Sequence, residues 1–169
     1  MKFSQRGFTL IELLLYIGLL SILLGVLSTI FGEIVDDQLQ TSATSSVNQD
    51  GRYLLSKLLY DAKTASPSAS MIPASPGIPS STLQLTINSI NYTYSLDSNN
   101  NLQVVNNSTG QADVLNSYDT LISGLTFLRI GNGGSSDTVR VSFTVTGRTV
   151  DRSIQQSQSF QTTLGVGMQ

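Results

Sequence analysis

The chain of 169 residues has no cysteine, no histidine and no tryptophan. Without cysteine no disulfide can staple it, although an extracytoplasmic location remains open, since disulfides are permitted there and not required. Without histidine and cysteine, serine–histidine triads and thiolate nucleophiles are out of reach. Nine Lys and Arg stand against eleven Asp and Glu, a balance that offers no basic surface to nucleic acid. Proline is absent everywhere except at Pro67, Pro73, Pro76 and Pro79. The glycines at 131–134 are not followed by Gly-Lys-Ser/Thr, so they form no phosphate loop. No acidic pair sits in a context that would drive two carboxyl pKa values apart. The residues therefore supply no catalytic set, no cofactor site and no metal site, and the protein reads as a non-enzyme.

Charge is missing from one further place. From Leu13 to Gly32 there is no charged residue, and about 20 apolar residues suffice to cross a bilayer. An ordinary secretory signal has an apolar region of only ~7–15 residues, followed by a small-residue cleavage site. Here the run is too long, and Leu27-Ser28-Thr29-Ile30-Phe31-Gly32 offers no such site. Lys2 and Arg6 precede the run, whereas Glu33, Asp36 and Asp37 follow it. Positive charge stays on the cytoplasmic side, which places the N-terminus inside and the bulk of the chain outside. One carboxylate, Glu12, lies at the start of this helix. An ionisable group within a membrane-length apolar segment is expensive and by default marks a function with a partner to be named.

The segment Arg6-Gly7-Phe8-Thr9-Leu10-Ile11-Glu12-Leu13-Leu14 resembles the N-terminal signal of type IV pilins and type II secretion pseudopilins. The close match spans Arg6 to about Leu15. The resemblance implies cleavage between Gly7 and Phe8 by a membrane-embedded prepilin peptidase, which also N-methylates Phe8. It implies that Glu12, fifth in the mature chain, neutralises the methylated amine of a neighbouring subunit during filament assembly. The implied partners are the prepilin peptidase/methyltransferase, other pilin or pseudopilin subunits and the cytoplasmic membrane. The implied location is that membrane, single-pass, and then a pilus or pseudopilus. Loss of the leader removes Lys2 and Arg6, leaving seven basic against eleven acidic side chains.

Beyond the apolar run the helix is expected to continue. Between Glu33 and Ser66 there is no proline and one glycine, Gly51. Tyr53, Leu54, Leu55, Leu58, Leu59, Ala62 and Ala65 recur at helical spacing and make an apolar stripe for the domain's own sheet. The prolines then stop the helix and forbid a central strand. From Thr82 the period becomes two: Leu83, Leu85 and Ile87; Ile90, Tyr92, Tyr94 and Leu96; Leu102 to Val105; Leu125 to Ile130; Val139 to Val145; and Phe160 to Val166. Short connections point to antiparallel hairpins. The boundaries follow: leader 1–7, membrane or filament-core helix 8–32, solvent-side helix 33–66, a Pro/Ser-rich loop 67–82, and a β head 83–169. The fold class is α+β, a long N-terminal helix on an antiparallel sheet.

Tyr94-Ser-Leu-Asp with Asn101-Leu, Gly124-Leu-Thr-Phe, Val139-Arg-Val-Ser-Phe and Phe160-Gln-Thr-Thr also resemble a minor pseudopilin of the J type. Asp97-x-Asn99-x-Asn101 has the opening of a calcium loop. The sixth and twelfth positions, however, hold Leu102 and Ser108 where such a loop wants Gly and Glu, so an Asx-rich turn is the expectation. Asn91, Asn106 and Asn107 fit the N-glycosylation pattern, as chance alone provides in so Asn/Ser/Thr-rich a chain. A major pilin, and a membrane-anchored extracytoplasmic enzyme or carbohydrate-binding domain, stand as the alternatives.

Overall fold

A computed structural model describes residues 9–66, 73–130, 137–151 and 154–167. It divides into two units, Met1–Leu39 and Gln40–Gln169. Helix α1 (Leu10–Thr64) contributes residues 10–39 to the first and 40–64 to the second. In the first unit the apolar side chains from Leu10 to Val35 are exposed, and the helix is long and apolar enough to cross a membrane. Its polar groups begin to satisfy themselves locally. Ser21 Oγ donates to the Ile17 carbonyl at 2.8 Å and Thr29 Oγ1 to the Gly25 carbonyl at 3.1 Å, the i−4 back-bond open to hydroxyls within a helix.

Among the described residues the second unit holds eight strands: β1 (Pro79–Ser80), β2 (Leu83–Ile87), β3 (Ile90–Leu96), β4 (Leu102–Asn106), β5 (Ala112–Val114), β6 (Thr120–Arg129), β7 (Asp137–Asp151) and β8 (Ile154–Val166). They form two antiparallel four-stranded sheets, ordered β2-β3-β4-β5 and β1-β6-β7-β8. The α+β architecture, a long N-terminal helix with antiparallel sheet, is the one expected; the strands divide between two sheets. Alternation tells which face of a strand is apolar, but leaves open which strand lies beside it.

Both sheets and α1 share one core. Val47, Leu54, Leu58 and Ala62 of α1, with Ala65 just past its end, are buried with Leu83, Leu85, Tyr94, Leu102, Ile122, Phe127, Val139, Val141, Phe143, Val145 and Leu164. Each fully buried large side chain contributes about 1.5–3 kcal/mol. The stripe is narrower than its sequence suggests, because Tyr53 and Leu59 are 50% and 37% exposed on the outer side of the helix. Gly51 sits where α1 meets β8: a Cβ there would overlap the Phe160 ring, and that ring stacks on Phe143 at 5.7 Å between centroids. Glycine is the residue that permits this approach.

α1 ends at Thr64, and the backbone N–H of Ser66 donates to the Thr86 carbonyl at 2.8 Å, as suits a residue held extended by the following Pro67. Part of the expected 67–82 loop is in fact a strand. Pro79 pairs with Leu128 at the sheet edge, where a missing N–H costs nothing. The Gly77 N–H donates to the Arg129 carbonyl, and the Arg129 guanidinium holds the Ala74 carbonyl at 2.8 Å. Between the expected strands at Leu102–Val105 and Leu125–Ile130 lies a further short one, β5. β6 starts at Thr120, ahead of the expected Leu125, and carries a bulge between Ser123 and Thr126 around Gly124 at φ 61°. The extra residue breaks the alternation, so only its far half reads cleanly in sequence. Asn88 and Ser89, both at positive φ, make the tight two-residue turn between β2 and β3. Residues 67–72 and the glycine-rich segment 131–136 lie outside the described residues.

Candidate functional site

Thr9 opens the helix. Its carbonyl accepts from the backbone N–H of Glu12 and of Leu13, each at 3.1 Å, and its hydroxyl faces the Glu12 N–H at 3.4 Å. Thr9 is thus the N-cap and Glu12 the third helical residue, the Thr-x-x-Glu spacing of a capping box. A carboxylate in the first turn also suits the positive end of the helix dipole. Glu12 is half-buried among exposed apolar neighbours, the reverse of an ordinary solvated surface glutamate. Gly7 and Phe8 lie outside the described residues.

Among the described residues the head carries two buried carboxylates that sequence reasoning missed, both on α1. Asp50, 9% exposed, accepts through Oδ2 from the Ser117 N–H at 2.9 Å, the Ser117 hydroxyl at 2.7 Å and the Thr120 hydroxyl. Asn116 completes the clamp. Its Oδ1 accepts from the Leu102 N–H at 2.8 Å and its Nδ2 donates to the Thr120 carbonyl at 3.0 Å. The segment that passes from one sheet to the other is therefore tied to α1 and to β4 at once. The signal was present: Asp50 follows Val47 by three residues and precedes Leu54 by four, on the buried stripe itself.

Asp61 is the second. Lys57 pairs with it at 2.8 Å and the Tyr94 hydroxyl donates to it at 2.7 Å. These groups lie with Ile87, Tyr92, Val104, Asp113 and Leu115 along a cleft of about 300 Å³ between α1 and the β2–β5 sheet. Burial pushes the Tyr94 phenol well above its ordinary value, and the bond to Asp61 adds in the same direction. An acid whose folded pKa is raised contributes stability that is complete below its unfolded pKa, about 10 for tyrosine, and is lost as pH rises beyond it. Tyr94→Phe is expected to destabilise the head by about 1–3 kcal/mol at pH 7, by removing one of the donors to the buried Asp61 carboxylate, which keeps Lys57. The gap from the parent should narrow above about pH 10. Melting curves of both chains from pH 7 to 11 check this, and a constant gap would refute the assignment.

The Asp97 motif is a turn. Oδ1 accepts from the Asn99 and Asn101 N–H groups at 2.8 Å each, and Oδ2 from Asn101 Nδ2 at 2.9 Å. These bonds, the Asn101 N–H foremost, hold the Asp97 carboxyl below its usual range. Among the described residues no group of three or more His, Cys, Asp or Glu is placed to hold a metal ion.

Residues 2–28 match the prokaryotic N-terminal methylation motif. The match takes in the residues before the helix, the cap and most of the apolar run, as far as Ser28, and it supports the type IV pilin and pseudopilin family. With the apolar helix it points to membrane anchoring. No curated protein and no solved structure matches the chain.

Proposed function

We propose, from the methylation motif and the pilin and pseudopilin family it supports, that the protein is a prepilin-type structural subunit that works by assembly and runs no reaction of its own. The prepilin peptidase cuts between Gly7 and Phe8 on the cytoplasmic face and N-methylates Phe8. Residues 8–32 hold the subunit in the cytoplasmic membrane and later in the filament core, with the head extracytoplasmic. Glu12 neutralises the methylated amine of a neighbouring subunit, since two buried charges cost less paired than alone. The filament is a type IV pilus or a type II secretion-like pseudopilus, in which this chain is a minor subunit. The observation that carries the reading is a capped, half-buried carboxylate one turn into an exposed apolar helix, inside the matched motif.

Mass spectrometry of the N-terminal peptide from membranes tests it. A peptide beginning at N-methyl-Phe8 is the expected result. An intact Met1 leader, in cells with active prepilin peptidase, sinks the proposal. Gly7→Val should leave an uncut, membrane-retained precursor, because a peptidase needs close access to the backbone at the scissile bond and a branched side chain blocks it. Immunoblots of membranes read this directly, and cleavage at the parent rate refutes the role of Gly7. Shear-released filaments separate minor from major: the chain should be a small fraction of their mass.

A further inference from the structure

The cleft between α1 and the β2–β5 sheet is lined by three charged side chains, and two of them answer each other. Lys57 Nζ stands 2.8 Å from each Asp61 oxygen, and the Tyr94 hydroxyl completes that carboxylate. The lysine charge is thus spent within the cleft. Asp113 is the third. The register sets Tyr94, Val104 and Asp113 abreast on β3, β4 and β5, so Asp113 shares the helix-facing side of the sheet with Tyr94. Its carboxylate accepts from the neutral Gln111 amide at 3.3 Å, and among the described residues no cation pairs with it. One ammonium against two carboxylates leaves the lining negative. Ile87, Val104, Leu115 and the ring of Tyr92, all half-buried, make the rest of the wall apolar and aromatic. At about 300 Å³ the cleft lies at the small end of ligand sites, with room for a group the size of one long side chain.

We propose that this cleft binds an organic cation, an alkylguanidinium or alkylammonium group, with its charge against Asp113 and its stem along Tyr92, Val104 and Leu115. Each part of the lining selects for that chemistry. A cation donating to Asp113 makes a charge-assisted hydrogen bond, roughly twice as strong as a neutral one. An aromatic face such as that of Tyr92 attracts a cation placed over it. The stem removes apolar wall from water. An anion would meet Asp113 and find Lys57 already taken by Asp61. A neutral apolar guest would gain the wall and leave the carboxylate unanswered. Binding there draws only on the head and is independent of N-terminal processing.

NMR titration of the isotope-labelled full chain in detergent tests this, with n-butylguanidinium chloride as the probe and n-butanol and butyrate as neutral and anionic controls. The probe should shift the backbone amides of Val104, Asp113 and Leu115, and each control should bind at least about tenfold more weakly. Asp113→Asn keeps an accepting oxygen for Gln111 and removes the charge. It should weaken the probe about tenfold and leave butanol unchanged, with its Tm at the parent value. Asp113→Glu should restore binding, which a fold defect at this position would not allow. Tyr92→Leu should weaken the cation more than butanol. A capped Gly-Arg-Gly peptide distinguishes the sources: binding at or above the strength of the probe marks a protein side chain, and its exclusion marks a free cation. No shift at about 20 mM probe, beyond the millimolar range open to so small a group, overturns the proposal. So do equal binding of butanol, an unchanged affinity in Asp113→Asn, and shifts confined to residues away from the cleft.

Discussion

Glu12→Leu is expected to insert in the membrane and lose its leader normally, yet to enter filaments at about one hundredth of the parent level or less. Stranding one charge of a buried pair costs ~3–5 kcal/mol, and each ~1.4 kcal/mol is a factor of ten. The local structure explains why the earlier steps should survive. The helix is capped by Thr9 through the backbone N–H groups of Glu12 and Leu13, which the substitution leaves in place. Leucine is as good a helix former as glutamate and favours insertion. Glu12→Gln keeps a hydrogen-bonding oxygen without the charge and should fall between. Immunoblots of sheared filaments against membrane fractions give the ratio. Parent-level incorporation of Glu12→Leu would dismiss the ion pair and leave Glu12 as a helix-capping residue only.

The largest effect on the head itself is expected from Asp50→Leu. The Ser117 N–H, the Ser117 hydroxyl and the Thr120 hydroxyl all converge on one Asp50 oxygen. Leucine removes that acceptor while keeping bulk and apolar character, so the loss is one of unmet donors and not of volume. Buried unsatisfied groups cost ~1–3 kcal/mol each. Because Asp50 is slightly exposed and a serine hydroxyl can turn to water, the net loss should be about 2–4 kcal/mol, which lowers Tm by roughly 10 °C for a domain of this size. Asp50→Asn retains one accepting oxygen and should lose about half as much. Thermal unfolding of the full chain in detergent measures both. A Tm within experimental scatter of the parent for Asp50→Leu would mean that the clamp at Ser117 and Thr120 contributes nothing net.

These two carboxylates illustrate different degrees of legibility. Glu12 stands out in sequence because its surroundings are uniformly apolar and its spacing from Gly7 and Thr9 is fixed by the local chain. Asp50 and Asp61 were legible only as exceptions: each is an acid set within the apolar stripe that carries Val47, Leu54, Leu58, Ala62 and Ala65. Their partners, Ser117, Thr120 and Tyr94, lie 67, 70 and 33 residues away in sequence, and no local pattern announces them. The Asp97 turn sits between these cases. Its partners are two and four residues away, so the turn was legible locally, and Leu102 and Ser108 at the sixth and twelfth positions set the calcium-loop reading aside.

The sequence by itself determined whatever depends on neighbours a few residues apart. That includes the apolar run and its single early carboxylate, the helix that proline ends, the period-two strands and the methylation motif. Only the tertiary structure decided how the strands divide into two sheets, that Pro79 lies on a protected edge, that Gly51 admits the Phe160 ring, and that Asp61 and Asp113 line one cleft. The reason is physical. Backbone dihedrals, capping and side-chain period are set within a turn or a pleat, whereas sheet partners and buried polar pairs are chosen by long-range packing, where many pairings share the same local pattern.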